Sequence, residues 1–352
     1  MKLWILSLLS LFSLASISVS AQKKHQDNQF ILNGTINGQI DGSVYVRYRD
    51  LHEKFVVDSC KLQNGHFSIQ GSIKEPTITF ISTLKKAIPD DDDMEADGKN
   101  STLFFLEPGT VTAQLNPSDF KNGQFSGSAS QVQFAELNGK LMKAGNAAEK
   151  ADITRRFYNQ YSSSYVTAYL VSDSHYKLDS LNACYKRLPP AVRKSSYGED
   201  IQEKIEKKEK VAVGRRAPDF KQKAADGTEV SLANFKGKYL LLIFWSSSDM
   251  SSRAQSMELA NVYNRFKDKN FTILGASIDG EKTRKVWQKA VQQDNLPWMQ
   301  LAPLKNNHNP AAIQYDVEVL PASFLIDPKG KIIAADLSAK DLDKSLEAML
   351  NR

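Results

Sequence analysis

Tyr239-Leu240-Leu241-Leu242-Ile243-Phe244-Trp245 is an unbroken apolar and aromatic run, and Ser246-Ser247-Ser248-Asp249 follows it at once. A short run with no polar interruption fits a strand buried on both faces, since a half-exposed strand alternates. The polar cluster ends it, and Ser251–Phe266 then shows the three- and four-residue apolar spacing of a helix. Phe271–Ile278 reads as a second buried strand and Glu281–Gln293 as another helix. Ala322–Ile326 and Lys331–Ala335 flank Asp327-Pro328-Lys329-Gly330, which predicts a hairpin. A last helix starts near Ser338, with Asp341 three residues on as in a capping box. Strands alternating with helices define an α/β domain over residues 211–352.

Working outward, the chain of 352 residues is too long for one ordinary domain. Lys2 precedes an apolar run from Leu3 to Val19, and Val19-Ser20-Ala21 offers the small residues a signal peptidase reads. Residues 1–21 are therefore expected to be a signal peptide cleaved near Ala21/Gln22, with an uncleaved anchor as the rival reading. No later run is long enough to span a bilayer, and no cysteine lies just after this one for lipid attachment. An exported protein, periplasmic or otherwise extracytoplasmic, is the expectation.

Residues 22–130 read as a small all-β, sandwich-like domain. Phe30–Leu32, Ser43–Tyr48, Thr77–Ser82, Thr102–Leu106 and Val111–Leu115 carry strand residues, separated by turn pairs such as Asn37-Gly38 and Asp41-Gly42. Asn64-Gly65 sits between Val56-Val57 and His66–Ile69 and predicts a hairpin there. The acidic run Asp90–Asp93, with Glu95 and Asp97, lacks the glycine of an EF-hand loop and reads as a charged, mobile loop; no metal is expected. Residues 131–210 change to helical spacing, with Phe134, Leu137, Leu141 and Met142, then Ile153, Phe157 and Tyr161. Pro189-Pro190 interrupts before a charged helix at Asp200–Lys210. This segment is expected to be an α-helical connector.

The net charge of +6 is spread along the chain with no basic cluster interleaved with aromatics, which excludes a nucleic-acid footprint. The two cysteines, Cys60 and Cys184, admit a disulfide in an oxidising compartment; the other reading is two small buried apolar side chains.

Ala217-Pro218-Asp219-Phe220, Asp226-Gly227, Val230-Ser231-Leu232, Gly237-Lys238 and Leu242–Trp245, then Tyr315-Asp316-Val317, Leu320-Pro321, Phe324–Asp327 and Gly330, resemble TlpA-like or redoxin-type thioredoxin domains of the AhpC/TSA-like thiol–disulfide oxidoreductase family. Phe104-Phe105-Leu106-Glu107-Pro108-Gly109 and Gly127-Ser128 resemble a small β-domain of unknown function found ahead of such domains. The resemblance implies Cys-x-x-Cys-Arg after the Phe-Trp strand, where this chain has Asp249-Met250-Ser251-Ser252-Arg253. Asp249 takes the place of the attacking cysteine and Ser252 that of the resolving one. Dithiol exchange needs a thiolate nucleophile and a second thiol, and a carboxylate with a hydroxyl supplies neither.

Asp249 is a favoured N-cap residue for the helix that follows, and this explains it without chemistry; a carboxylate acting as acid, base or ligand is the alternative, with no histidine close in sequence to assist. The resemblance also implies a cis bond at Pro321, opposite the redox motif, which exposes the Leu320 main chain for pairing with an extended peptide in a groove of Trp245, Leu320 and Pro321; the other readings are a Pro321 that only shapes the turn before the Ala322 strand and a Trp245 partly buried beside the site. The family activity is thiol–disulfide exchange, with no cofactor. Without the cysteines, the expectation is a non-catalytic protein that binds an extracytoplasmic protein or peptide. The alternatives are the oxidoreductase or antioxidant role of the family, and a purely structural one.

Overall fold

The computed structural model describes residues 28–38, 41–85, 96–224, 226–301 and 309–350. The expected signal peptide and the acidic residues 90–93 and 95 lie outside them. The described residues pack as two compact units, one of those up to Asp173 with Cys184–Ile201 and the other of Ser174–Ala183 with those from Gln202 onward.

The first unit is built on two four-stranded sheets. One has the order β4 (His66–Ser72), β1 (Gln29–Ile36), β7 (Gly109–Leu115), β8 (Gln124–Ser126); the other has β3 (Phe55–Lys61), β2 (Ser43–Arg49), β5 (Thr77–Ser82), β6 (Ser101–Leu106). Alternate residues of both, among them Phe30, Leu32, Val44, Val46, Ile69, Phe104 and Val111, meet in one core, so the domain is a sandwich. Gly34 is required within β1, because a Cβ there would stand 2.1 Å from the Phe67 ring.

The predicted hairpin at Asn64-Gly65 is corrected. The tight turn exists, with the Gln63 N–H donating to the His66 carbonyl at 2.9 Å and the reverse bond at 3.1 Å. Yet β3 pairs with β2 and β4 with β1, in different sheets. Turn chemistry fixes two residues; the burial of Phe67 and Ile69 beside β1 decides where the strand goes.

Helices α1 (Ala129–Lys143), α2 (Ala147–Gln160), α3 (Tyr165–Ser172), α4 (Leu178–Arg187), the short α5 (Pro190–Arg193) and α6 (Ser196–Lys210) follow, and residues of α4 and α6 are divided between the units. Helix α1 begins under Glu107, whose carboxylate accepts from the Ala129 and Ser130 N–H groups at 2.9 Å each. Helix α6 begins at Ser196, ahead of the predicted Asp200, because Glu75 caps it, accepting from the Ser196 N–H at 2.7 Å.

Cys60 on β3 and Cys184 on α4 are both free and partly buried, so the disulfide reading is set aside. Cys60 packs against the sandwich core, which is the apolar role, and burial pushes both thiols above their ordinary pKa.

The second unit carries a five-stranded sheet of order β13 (Met299–Leu301), β12 (Phe271–Ser277), β11 (Tyr239–Trp245), β14 (Ala322–Ile326), β15 (Ile332–Ala335), with a hairpin of β9 (Lys221–Lys223) and β10 (Glu229–Ser231) ahead of it. Strands β12 and β13 run parallel to the chain order of β11; β14 is antiparallel to β11. Leu241, Ile243 and Trp245 of β11 enter one core with helices α7 (Met250–Phe266), α8 (Arg284–Gln293) and α10 (Ala339–Leu350). Leu240, Leu242 and Phe244 enter the opposite core with Phe220 and Tyr315, the latter just after the one-turn helix α9 (Pro310–Gln314). Two buried faces explain why this strand is apolar throughout. The β-sandwich, the helical middle and the thioredoxin-like sheet match the fold class read from the sequence.

Candidate functional site

Strand β11 ends at Trp245 and helix α7 starts at Met250, so Ser246–Asp249 form the turn between them. Asp249 is the N-cap of α7: its Oδ1 accepts from the Ser252 N–H at 2.6 Å, and its N–H donates to the Ser246 carbonyl at 3.2 Å. Ser252 is fully buried one turn in, and its Oγ has no hydrogen-bond partner among the described residues. That pocket suits a weakly polar sulfur better than a hydroxyl. Between them Met250 is 85% exposed, and Ser251 is exposed as well. Arg253 makes a bidentate pair with the buried carboxylate of Asp294 at 2.8 and 2.6 Å, which raises the guanidinium pKa further.

The turn is held from below by a residue that the sequence reading did not single out. Asp279, 4% exposed, accepts from the Ser247 N–H at 2.9 Å, the Ser247 hydroxyl at 2.6 Å and the Ser277 hydroxyl at 2.7 Å. It follows β12, whose end the parallel register sets beside Trp245. Nearby, buried Asn309 caps α9, receiving the Ala311 N–H at 2.9 Å, and donates to the Ser277 carbonyl at 2.8 Å. The Ser247–Asp279 and Asn309–Ser277 contacts each span thirty-two residues of sequence, and no local pattern announces them.

Trp245 requires a correction. It is 1% exposed, and its indole N–H donates to Gln300 Oε1 at 3.1 Å. A side chain sealed between strand and helices cannot line an open groove. Gly275 permits the arrangement, since a Cβ there would stand 2.3 Å from Gln300 Oε1.

Leu320 and Pro321 lie at the same end of the sheet. The pair Phe244↔Ala322 places Pro321 alongside Trp245, at the end of β11 from which α7 departs. The Leu320–Pro321 bond is cis. Both residues are partly exposed, and Val319 before them is 56% exposed. Among the described residues the Leu320 N–H and C=O take no backbone partner. No group of three or more His, Cys, Asp or Glu among the described residues is placed to hold a metal ion.

Residues 213–335 match the AhpC/TSA family. The C-terminal part of this chain belongs to it. Residues 30–134 match a domain of unknown function, DUF4369. Among relatives of the AhpC/TSA domain, the thiol-disulfide oxidoreductase ResA of Bacillus thuringiensis is 29% identical over 147 residues, 42% of this chain and 81% of that protein. The thioredoxin domain of a thiol-disulfide oxidoreductase from Bacteroides vulgatus is 36% identical, covering 40% of this chain and 99% of that one, with a TM-score of 0.37. A thiol:disulfide interchange protein from a Bacteroides species is 35% identical, covering 40% and 92%, also at 0.37. In this AhpC/TSA domain the first turn of α7 holds a capping carboxylate and a buried hydroxyl. No helix among the described residues is long and apolar enough to cross a membrane.

Proposed function

We propose that this exported protein holds an extended polypeptide at the end of its AhpC/TSA sheet and does not itself exchange disulfides. The observation that carries the reading is the first turn of α7, where Asp249 accepts the Ser252 N–H at 2.6 Å and neither residue offers sulfur. A carboxylate engaged as a helix cap and a buried hydroxyl cannot accept and return two electrons as a dithiol does. The main chain at Leu320, unpaired and preceded by the exposed side chain of Val319, supports addition of a peptide strand.

The test is binding of a reduced, carboxymethylated polypeptide, followed by fluorescence anisotropy. The unmodified protein binds it, and Val319→Glu, one residue ahead of Leu320, or Met250→Glu, at the start of α7, weakens binding by placing a charge at that end of the sheet. Absence of binding, or binding indifferent to both changes, overturns the reading.

The oxidoreductase reading keeps the support of the relatives. It requires thiols other than the two replaced positions, and Cys60 and Cys184 both belong to the other compact unit. Disulfide turnover that disappears on Cys60→Ala or Cys184→Ala would favour it.

A further inference from the structure

The segment that delivers Leu320 to its place is gripped by a cluster of charges. Glu318 faces two ammonium groups, Lys208 Nζ at 3.1 Å and Lys204 Nζ at 3.8 Å, and the His175 imidazole, with Nδ1 at 3.5 Å. The same Lys208 ammonium reaches Asp316 at 2.9 Å. Lys204 and Lys208 are four residues apart on α6 and so share one face. Lys204 is itself steadied by the Ser174 carbonyl at 3.0 Å. The side chains of Lys208 and Asp316 are 17% and 11% exposed, so solvent and salt screen this pair less than an ordinary surface pair. All of these residues belong to one compact unit.

The Val317 and Leu320 side chains pack against the core, and the cluster sits where the main chain between them has few hydrogen bonds of its own. The Asp316 N–H donates to the Ile313 carbonyl at 3.1 Å and the Val317 N–H to the Ala312 carbonyl at 2.9 Å. From Glu318 to Leu320, among the described residues, no backbone hydrogen bond follows until β14 begins at Ala322. Across that gap the Glu318 carboxylate is the polar anchor, two residues ahead of Leu320.

We propose that Lys208, assisted by Lys204, is a positioning residue that fixes the Leu320 main chain in register for an incoming polypeptide strand. The inference rests on the peptide-binding reading above. It gives helix α6 a role in recognition at a loop more than one hundred residues away in sequence. Lys207 supplies the control, since it pairs with Glu203 on the exposed side of the same helix, with side chains 51% and 64% exposed.

The experiment uses the full chain with Cys60→Ala, Cys184→Ala and Asp249→Cys. The probe is an extended Thr/Val-rich peptide whose single cysteine carries a thiopyridyl disulfide. The introduced thiolate attacks the peptide sulfur, a protein–peptide disulfide forms, and pyridinethione leaves with the electron pair of the broken bond. Hydrogen exchange at the Leu320 N–H is then read with and without the peptide.

With Lys208 present, the trapped peptide slows Leu320 exchange by about tenfold, as a new backbone hydrogen bond does. Lys208→Ala and Lys208→Met, the latter keeping most of the aliphatic stem, remove most of that protection. Lys208→Arg restores it, and Lys207→Ala leaves it intact. Protection that persists in both Lys208→Ala and Lys208→Met overturns the positioning role while peptide pairing stands. Absence of protection with Lys208 intact overturns the peptide-binding reading beneath it.

Discussion

Replacing Ser252 by cysteine should stabilise the AhpC/TSA domain, although it restores only one of the two thiols. The Ser252 side chain is fully buried in the first turn of α7 and its hydroxyl has no partner among the described residues. An unpaired buried hydroxyl costs about 1–3 kcal/mol, whereas a thiol is a small apolar group with a weak donor. The Asp249 cap is unaffected, because it accepts from the main-chain N–H of residue 252. A gain of about 1.5 kcal/mol, with a urea m-value of about 2 kcal/mol per molar, moves the unfolding midpoint up by roughly 0.7 M. Trp245, Trp287 and Trp298 are all buried in this unit, so tryptophan emission under reducing conditions reports its unfolding. Ser251→Cys, at the exposed neighbour, should leave the midpoint in place. A midpoint for Ser252→Cys equal to or below that of the unmodified protein refutes the claim that this pocket is apolar and still fitted to sulfur.

Other consequences follow from the same structure. Asp249→Ala removes the cap and should destabilise the domain by about 1 kcal/mol, with Asn retaining most of it, as read by the same urea titration. Gly34→Ala should lower the stability of the sandwich by about 1–3 kcal/mol in calorimetry, because the new methyl collides with the packed Phe67 ring; an unchanged melting profile would contradict that packing. Burial pushes the Glu318 carboxyl up, but the Lys208 hydrogen bond and the Lys208 and Lys204 charges outweigh it, so its pKa is lowered. Its contribution to stability is therefore full above the ordinary glutamate pKa and is lost as pH falls through the lowered value. Glu318→Gln should reduce the dependence of the urea midpoint on pH on that acid side, and an identical acid profile would refute the pairing.

The thioredoxin-like sheet was legible because its strongest signals are local. An apolar run buried on both faces, a capping aspartate and a Pro-Gly turn each act within a few residues, and β11, Asp249 and the β14–β15 connection lie where those signals put them. The errors arise where tertiary packing decides. Asn64-Gly65 specifies a tight turn but does not say that β3 and β4 join different sheets. The place of Trp245 beside the replaced motif admits both a groove residue and a partly buried one, and only the packing by α7 and the bond to Gln300 seal it in the core. Asp279 and the Lys208 cluster are invisible in the sequence for the same reason. Each becomes a group of partners only once distant segments meet, and isolated charges in a charged chain carry no signature.

The most direct test of the central claim, that the redox couple is gone while its scaffold remains, is the rate at which the purified protein reduces a model disulfide substrate in the presence of excess dithiol. The account predicts no rate above the buffer for the unmodified protein, and turnover once Asp249→Cys and Ser252→Cys are combined. Turnover by the unmodified protein would contradict it.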